Sequence, residues 1–337
     1  MITSQARQPA AVVNPLTATN LMLTDRILAL EDNYGVSSVI NPPATWADLY
    51  QRLITDRKGK PTKSVNFTET FEGNRYRCIL ANSMHGYGIT MRKLLTQIPR
   101  ITEDLKLPWN VIRPLMLEPG LILIAGQMGS GKSTTLQAAV DALEPAVRGA
   151  LGIVEDPVEI IHPDLTVIQR QVGEQTESFA EAIRDFMRQY RQTIIVGEIR
   201  DPETAEAAVI AASSGHRVVG TIHSESAPDA IVRMKTLLDP KFERILPSVL
   251  SGIWWQHLVR FGDQKRAPVV VYESLECDQT VKDMIQSDKL VMLPAQMKRQ
   301  GRMNMAEVAI DHIQHRRASK AEMRQWLSNK GRVEALV

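Results

Sequence analysis

The sequence has few cysteines and no long apolar run, and each absence excludes a class of protein. Cys78 and Cys277 are the only two cysteines among 337 residues. They are too few for a disulfide framework or a zinc cluster, which suits a reducing cytosol. No apolar stretch approaches the roughly 18 residues of a membrane span. The formal net charge is only +2, so no overall basic field argues for nucleic acid as a partner.

One glycine-rich segment stands out from an otherwise ordinary globular composition. Residues 126–133 read GQMGSGKS and fit the P-loop pattern G-x-x-x-x-G-K-[ST]. The apolar run 121–125 before it predicts a buried parallel strand, and residues 133–143 predict a helix. Strand, glycine loop and helix are the setting in which this motif binds phosphate. Lys132 would then reach the β- and γ-phosphates, and the Ser133 hydroxyl would ligate Mg²⁺.

The chain length predicts two domains. Residues 1–20 lack an export signal and predict a loose tail, and 21–98 predict a small α+β domain. Residues 99–115 form a Pro-containing linker, and 116–337 the P-loop domain. Within 21–98 the apolar spacing predicts helices over 21–30 and 46–54, a loop over 56–63, and a hairpin of strands 64–71 and 75–81 around a turn at 72–74.

The P-loop domain shows strands and helices in alternation. The predicted strands are 121–125, 151–154, 194–197 and 217–222, and the predicted helices are 133–143, 178–190 and 202–212, with a mainly helical last 50 residues. Such alternation predicts an α/β fold with a mostly parallel sheet. Its ligand should bind at the carboxyl ends of the strands.

Three of these strands end in polar residues suited to phosphoryl chemistry. Glu155 and Glu198 follow two apolar strands, and His223 ends a third. Hydrolysis needs Mg²⁺ ligation, a group that positions the attacking water, and polar or cationic groups at the γ-phosphate. Each residue also has a structural alternative, since carboxylates after strands often cap the next helix and a single histidine is often only hydrogen-bonded. Asp201-Pro202 has the same alternative as a helix start.

Four ordered motifs resemble those of the secretion ATPase family. They read GQMGSGKSTT, GIVEDPVEI, IIVGEIRDPETA and SSGHRVVGTIHSESAPDAIVRM, and they are similar to that family's Walker A loop, Asp box, Walker B motif and His box. The resemblance covers roughly residues 75–317. It implies a RecA-like P-loop core with a small PAS-like α+β domain before it, and ATP and Mg²⁺ as cofactors. The absence of a four-cysteine metal insert disfavours the type II assembly branch of that family, and the compact length favours its PilT-like or DotB-like members.

The same resemblance implies roles for individual residues. Glu155 would be the general base or water-orienting carboxylate, Glu198 would hold Mg²⁺ or its water, and His223 would sense the γ-phosphate. Arg75, Arg77 and Arg92 resemble the N-domain arginines that complete the nucleotide site, where a bidentate guanidinium stabilises developing charge. The phosphate- and Mg²⁺-binding set would comprise Gly126, Gly129, Ser130, Gly131, Lys132, Ser133 and Thr134, and Arg200 and Arg233 occupy matching motif positions.

The resemblance also implies an assembly and a location. It indicates a cytoplasmic homohexamer, peripheral at the inner membrane, that powers a type IV secretion, conjugation or pilus machine through its membrane components, without binding nucleic acid itself. The chain departs from the family at Tyr190-Arg191-Gln192, in place of Asp-Pro-Asp, and at Gln256-His257-Leu258, in place of Gln-Arg-Leu. It also has Ser37-Ser38-Val39-Ile40 in place of an SDIH-like signature. A P-loop small-molecule kinase, an ATP-binding scaffold without turnover and a DNA motor are the alternatives.

Overall fold

The computed structural model describes residues 20–32, 35–57, 64–261 and 266–328. The chain divides into two compact units, each with its own hydrophobic core. The first comprises Met1–Gln97 and Pro157–Ile161, and the second comprises Ile98–Asp156 and His162–Val337. The short segment 157–161 is therefore part of the first unit although the chain on both sides of it belongs to the second. The predicted tail 1–20 lies almost wholly outside the described residues, as does most of the predicted loop 56–63.

The first unit is an antiparallel sheet with one helix. Its strands are β1 (Asn20–Leu23), β2 (Leu28–Asp32), β3 (Gly35–Ile40), β4 (Val65–Phe71), β5 (Asn74–Ser83) and β6 (Gly86–Lys93), and the helix is α1 (Ala44–Arg57). Their order across the sheet is β3-β2-β1-β6-β5-β4. Alternate residues of β5 are buried, and Trp46 of α1 contacts Tyr76 edge-on with ring centroids 6.3 Å apart. The predicted helix 46–54 and hairpin 64–81 are confirmed.

The predicted helix over 21–30 is wrong, because this stretch forms β1 and β2. Leu21, Leu23, Leu28 and Leu30 are all buried. Two pairs of leucines at a spacing of two place their side chains on one face of a strand, which is the period of a half-buried sheet. The two strands pair antiparallel with Leu21 opposite Leu30 and Leu23 opposite Leu28. The residues between them, Thr24–Ile27, turn the chain through the Thr24 side chain, which accepts from the Ile27 amide at 3.0 Å.

The second unit is built on a mostly parallel sheet. Its strands are β7 (Gly120–Ala125), β8 (Leu151–Glu155), β9 (Ile168–Gln171), β10 (Thr193–Val196), β11 (Arg217–Ile222), β12 (Leu250–Val259) and β13 (Val269–Glu276), in the order β13-β12-β7-β11-β10-β8-β9. Every pairing is parallel except β12 with β13. Every residue of β7, β8, β10 and β11 is buried, as expected for strands covered on both faces. The α/β prediction is confirmed.

Helices follow most of these strands. Those of the second unit are α2 (Trp109–Ile112), α3 (Lys132–Asp141), α4 (Pro145–Arg148), α5 (Phe179–Arg188), α6 (Pro202–Ser213), α7 (Ala227–Leu237), α8 (Pro240–Glu243), α9 (Leu246–Val249), α10 (Gln279–Gln286), α11 (Leu293–Arg299), α12 (Met305–Gln314) and α13 (Lys320–Ser328). Ser178 and Asp201 cap α5 and α6 through side-chain oxygens that accept the Glu181 and Thr204 amides, so their sequence positions explain where these helices begin. The predicted helices of this unit and the helical C-terminal part are confirmed within the described residues.

No helix in the described ranges has both the length and the apolar character needed to cross a membrane.

Candidate functional site

The P-loop connects β7 to α3 at the carboxyl edge of the parallel sheet. Gly126, Gly129 and Gly131 have positive φ angles of 145°, 70° and 81°, which other residues adopt only with strain. A Cβ atom on Gly126 would lie 2.2 Å from the Gln256 carbonyl oxygen. Glycine is therefore required at this position by space as well as by conformation. The loop opens onto the first turn of α3, where backbone N–H groups lack helical partners and suit an anion.

Lys132 is buried at the start of α3. Its Nζ donates to the carbonyl oxygens of Gly126 and Gln127, each at 2.9 Å. Burial lowers the pKa of this ammonium from 10.5 to about 8, against the opposing effect of the Glu198 charge. The cation is thus held beside the loop by neutral carbonyls, and a phosphate in the loop would supply the counter-charge that these carbonyls lack.

The hydroxyl groups of the loop fit a phosphate and a metal ion. The Ser130 Oγ is buried and, within the described residues, has no hydrogen-bond partner, which is costly unless a ligand supplies one. Ser133 and Thr134 lie half-buried in the first turn of α3. No group of three histidine, cysteine or acidic side chains in the described ranges could hold a metal ion. Magnesium commonly keeps several waters and binds through substrate phosphates and one or two protein ligands, so it does not require such a group of three side chains.

Glu198, His223 and Lys132 form a continuous polar chain. Glu198 follows β10 and His223 follows β11, which lies between β10 and β7. The His223 Nε2 is 3.1 Å from the Glu198 Oε1, and its Nδ1 is 3.4 Å from the Lys132 Nζ. Burial lowers the pKa of His223, with a further lowering by the Lys132 charge and an opposing effect of Glu198. The structure brings together three of the residues expected from the sequence.

Glu155 is a buried carboxylate at the end of β8. Its Oε1 accepts from the Gln137 Nε2 at 2.6 Å, and its Oε2 accepts from the Gln169 Nε2 at 3.0 Å. A Cβ atom on Gly197 would lie 3.1 Å from the Glu155 Cα, so the residue before Glu198 packs directly on Glu155. Gln137 belongs to α3, and it links this carboxylate to the helix that starts with the P-loop lysine. The capping alternative does not fit Glu155, because the described chain forms no helix between β8 and β9.

Arg200 and Arg233, the arginines of the second unit that the sequence singled out, lie at different distances from the Lys132–His223–Glu198 polar chain. Arg200 Nη2 is 3.2 Å from the Asp156 Oδ2, and its Nη1 is 3.7 Å from the Glu198 Oε2. Its guanidinium therefore bridges the polar groups that follow β8 and β10. Arg233 is an exposed residue of α7 whose positive charge contributes to lowering the His223 pKa. Asp201 caps α6, so the alternative of a helix start holds for that residue.

The three arginines of the first unit that the sequence singled out share one face of its sheet. Arg75 and Arg77 are two residues apart on β5, and Arg77 pairs with Arg92 on β6. The Arg75 Nη1 donates to the Glu159 carbonyl oxygen at 3.3 Å, and the Arg77 Nη1 is 3.7 Å from the Glu159 Oε1. Arg92 is exposed. Glu159 belongs to the segment 157–161, which begins two residues after Glu155, so the face that carries the arginines also holds this segment.

Sequence reasoning missed the three glutamines that support the site. Gln137 and Gln169 hold Glu155, and the Gln256 Nε2 donates to the Ser130 carbonyl oxygen at 2.6 Å. Gln137 lies at a buried position of the helix after the P-loop. A polar side chain at a buried helix position needs a hydrogen-bond partner, and this was the signal in the sequence. Gln256 begins the triplet 256–258. The sequence showed that this glutamine matches the family triplet, but it did not indicate what the side chain contacts.

A parallel α/β sheet with a P-loop at its carboxyl edge and polar groups on the neighbouring strand ends defines the class of P-loop nucleotide-binding proteins. The profile of the family described as "Type II/IV secretion system protein" matches residues 93–334, which is well over half of the chain. This chain therefore belongs to the type II/IV secretion system protein family.

Curated relatives support this membership. The uncharacterized protein YggR of Escherichia coli is 32% identical over 256 residues, covering 74% of this chain and 76% of YggR. The type IV pilus retraction ATPase PilT of Pseudomonas aeruginosa is 31% identical over 237 residues, covering 68% of each. The twitching motility protein of Neisseria gonorrhoeae is 30% identical over 226 residues, and the match spans only 60% of its length.

Solved structures show the same fold. The pilus retraction motor PilT with bound ADP superimposes with a TM-score of 0.76 at 27% identity, over 91% of this chain and 92% of that one. The Legionella pneumophila ATPase DotB superimposes with a TM-score of 0.77 at 21% identity, over 93% of this chain and 92% of that one. At this identity the match shows a likeness of fold alone. The predicted RecA-like core and the suspected family are confirmed.

Proposed function

We propose that this chain is an ATP hydrolase that works as a motor of a type IV secretion, conjugation or pilus machine. The polar chain Lys132–His223–Glu198 beside the P-loop is the observation that carries the proposal, because it joins the phosphate-binding lysine to two strand ends of the same sheet edge. Membership of a family that includes the ATPase PilT supports it. ATP is the proposed substrate and Mg²⁺ the proposed cofactor.

Each residue of the candidate site has a separate proposed role in ATP hydrolysis. The loop N–H groups and Lys132 bind the phosphates, with Gly129, Ser130, Gly131 and Thr134 completing the loop. Glu155 is proposed to orient water and accept its proton as a general base, and its two hydrogen bonds from glutamine amides support a fixed carboxylate in that role. His223 is proposed to report the γ-phosphate, and its contact with Lys132 and its lowered pKa support this role. Magnesium, held by Ser133 and Glu198, would supply charge neutralisation at the phosphates.

Phosphate release by the purified chain tests this proposal against its alternatives. With ATP and Mg²⁺ but no acceptor, a hydrolase releases inorganic phosphate, whereas a small-molecule kinase needs its acceptor and a scaffold releases none. Lys132→Ala removes both the ammonium and its phosphate contact, so affinity and turnover should both fall. ATP binding by the unaltered chain without phosphate release would leave the scaffold as the better description.

The arginine face of the first unit is proposed to supply further positive charge to the phosphates during turnover. Arg75, Arg77 and Arg92 place three guanidinium groups on one sheet face. Glu159 contacts Arg75 through its main-chain carbonyl oxygen and Arg77 through its carboxylate. Arginines supplied in this way are worth about 10³–10⁵ in rate in other P-loop enzymes. Each arginine changed to Ala should lower turnover far more than ATP affinity, and Lys should rescue poorly because it cannot bind bidentately. Wild-type turnover in all three Ala variants would contradict this role.

We propose a closed ring of six copies as the working form. Closed cyclic symmetry leaves no unpaired interface, and a small N-terminal unit before an ATPase core suits it. Light scattering with a non-hydrolysable ATP analogue should show a hexamer-sized species. A strict monomer at micromolar concentration during active turnover would contradict the ring.

The partners are proposed to be the inner-membrane components of the machine, with the chain cytoplasmic and peripheral at that membrane. Binding of nucleic acid is not proposed, since the net charge of the chain is only +2. Co-purification from native membranes, with the partners identified by mass, tests this assignment. Recovery of the chain only in the soluble fraction, without membrane components, would contradict it.

The division into a domain at 21–98, a linker at 99–115 and an ATPase domain at 116–337 remains a proposal, with limited proteolysis as its test. Cleavage within 99–115 that yields a stable fragment starting near residue 116 would support these boundaries, whereas a stable fragment starting near Ile98 would support the two units of the structure. Cleavage inside β7 or α3 before the linker would contradict these boundaries.

A further inference from the structure

The residue after Trp255 on β12 holds the P-loop from the side. The Gln256 Nε2 donates to the Ser130 carbonyl oxygen at 2.6 Å, and its backbone oxygen is the atom that a Cβ on Gly126 would strike. The same side chain lies 3.3 Å from the position a Cβ would take on Gly131. Gln256 therefore lies against three residues of the loop, Gly126, Ser130 and Gly131.

The amide of Gln256 is fixed at both of its ends. The Trp254 Nε1 donates to the Gln256 Oε1 at 2.8 Å, which leaves the amide nitrogen directed to Ser130. The Trp254 ring in turn stacks on Tyr272 of β13, with centroids 4.4 Å apart and planes 19° apart. Gln256 and Trp254 are both fully buried, so these hydrogen bonds act away from water, where their loss costs most. The amide has one orientation that satisfies both bonds.

The opposite face of β12 holds a second part of the site. The Trp255 Nε1 donates to the Ser224 carbonyl oxygen at 3.0 Å, and Ser224 follows His223. Adjacent residues of one strand point to opposite faces. Two neighbouring positions of β12 therefore separately support the P-loop and the loop that carries the candidate γ-phosphate sensor.

We infer that Gln256 is a positioning residue that sets the orientation of the P-loop for nucleotide, with Trp254 fixing its amide. The inference rests on the proposed binding of ATP at this loop. A carbonyl held at Ser130 fixes the peptide plane between Ser130 and Gly131, and with it the direction of the Gly131 N–H. Loss of this constraint weakens binding of the phosphates shared by ADP and ATP, and it leaves the groups that act on the γ-phosphate in place.

The test compares Gln256→Met with a matched control. Gln300→Met removes a similarly bonded amide, whose Nε2 donates to the Glu276 carbonyl oxygen at 2.7 Å, far along the chain from the loop. Gln256→Met should lower the binding affinities for ADP and ATP equally, by about tenfold. The KM for ATP should rise by the same factor, while kcat changes less than about threefold. Gln300→Met should leave both affinities unchanged. Thermal melting of both variants separates a general loss of stability from a loss at the loop.

Trp254→Phe provides a second variant if Gln256→Met fails to fold. It keeps the ring stack on Tyr272 and removes the indole N–H. The binding affinities for ADP and ATP should therefore fall by the same factor, with kcat retained. Equal affinities in wild type, Trp254→Phe and Gln256→Met, or equal losses in Gln256→Met and Gln300→Met, would overturn the inference while leaving the proposed function intact. Absence of ATP binding by the unaltered chain would overturn both.

Discussion

The pH dependence of nucleotide affinity tests whether Lys132 binds phosphate from its buried position. Burial lowers the pKa of its ammonium to about 8 in the free protein. A phosphate beside the ammonium favours the charged form and raises this pKa again, toward or above the ordinary value of 10.5. Binding above about pH 8 must then be accompanied by proton uptake at Lys132.

The size of the effect follows from the fraction of free lysine that is charged. That fraction is about nine-tenths at pH 7 and about 3% at pH 9.5 for a pKa of about 8. ATP affinity should therefore fall about 30-fold over this range, equivalent to about 2 kcal/mol. In the free protein His223 does not add to the pH dependence over this range, because burial lowers its pKa from 6.5.

Isothermal titration calorimetry in two buffers of different ionisation enthalpy measures both affinity and proton uptake. Lys132→Arg is the matched control, because a guanidinium stays charged across the range and should abolish the pH slope whatever its own affinity. A wild-type affinity that stays constant from pH 7 to about 9.5, without proton uptake, would refute the reasoning.

Three further substitutions test local features of the second unit by urea unfolding. Gly126→Ala should destabilise the fold by about 1–3 kcal/mol, since its Cβ would meet the Gln256 oxygen at 2.2 Å; an unchanged midpoint would contradict the geometry. Tyr190→Gly should raise the free energy of unfolding by about 1 kcal/mol, because this exposed residue has a φ of 54°. A lowered free energy of unfolding would show that no strain is relieved. Ser178→Ala should cost about 1 kcal/mol through loss of the bond to the Glu181 amide, and Ser178→Gly only a few tenths; equal losses would argue against the cap.

The parts of the fold that sequence predicted are those with local signals. The strand before the P-loop, the helix after it and the strands ending at Glu155, Glu198 and His223 each occupy one short window of apolar residues. β12 could not be placed this way, because it pairs with β7 across more than a hundred residues of intervening chain. The 21–30 stretch was misread because the pairs of leucines also fit a helix when the turn between them goes unrecognised.

The candidate site shows the same division between local motifs and distant contacts. Lys132 and its glycines follow from one motif, and the strand-end position of Glu155 follows from the alternation of elements. The hydrogen-bond partners of Glu155 do not follow from any local pattern, because Gln137 lies on α3 and Gln169 on the edge strand β9. A glutamine offers no pattern of its own, so its contact appears only when the sheet brings the elements together.

The central claim is that Glu155 supplies the base for ATP hydrolysis at this P-loop. Glu155→Gln keeps the shape of the side chain and removes the carboxylate, so ATP affinity should stay near wild type while phosphate release falls by about 10²–10⁴. Glu203→Gln is the control, since Glu203 pairs with Arg184 on the surface of α6 and should leave both quantities unchanged. Parallel measurement of ATP binding and phosphate release in these two variants is the most direct test. Near-normal turnover in Glu155→Gln would contradict the claim and make Glu198 the better candidate for the base.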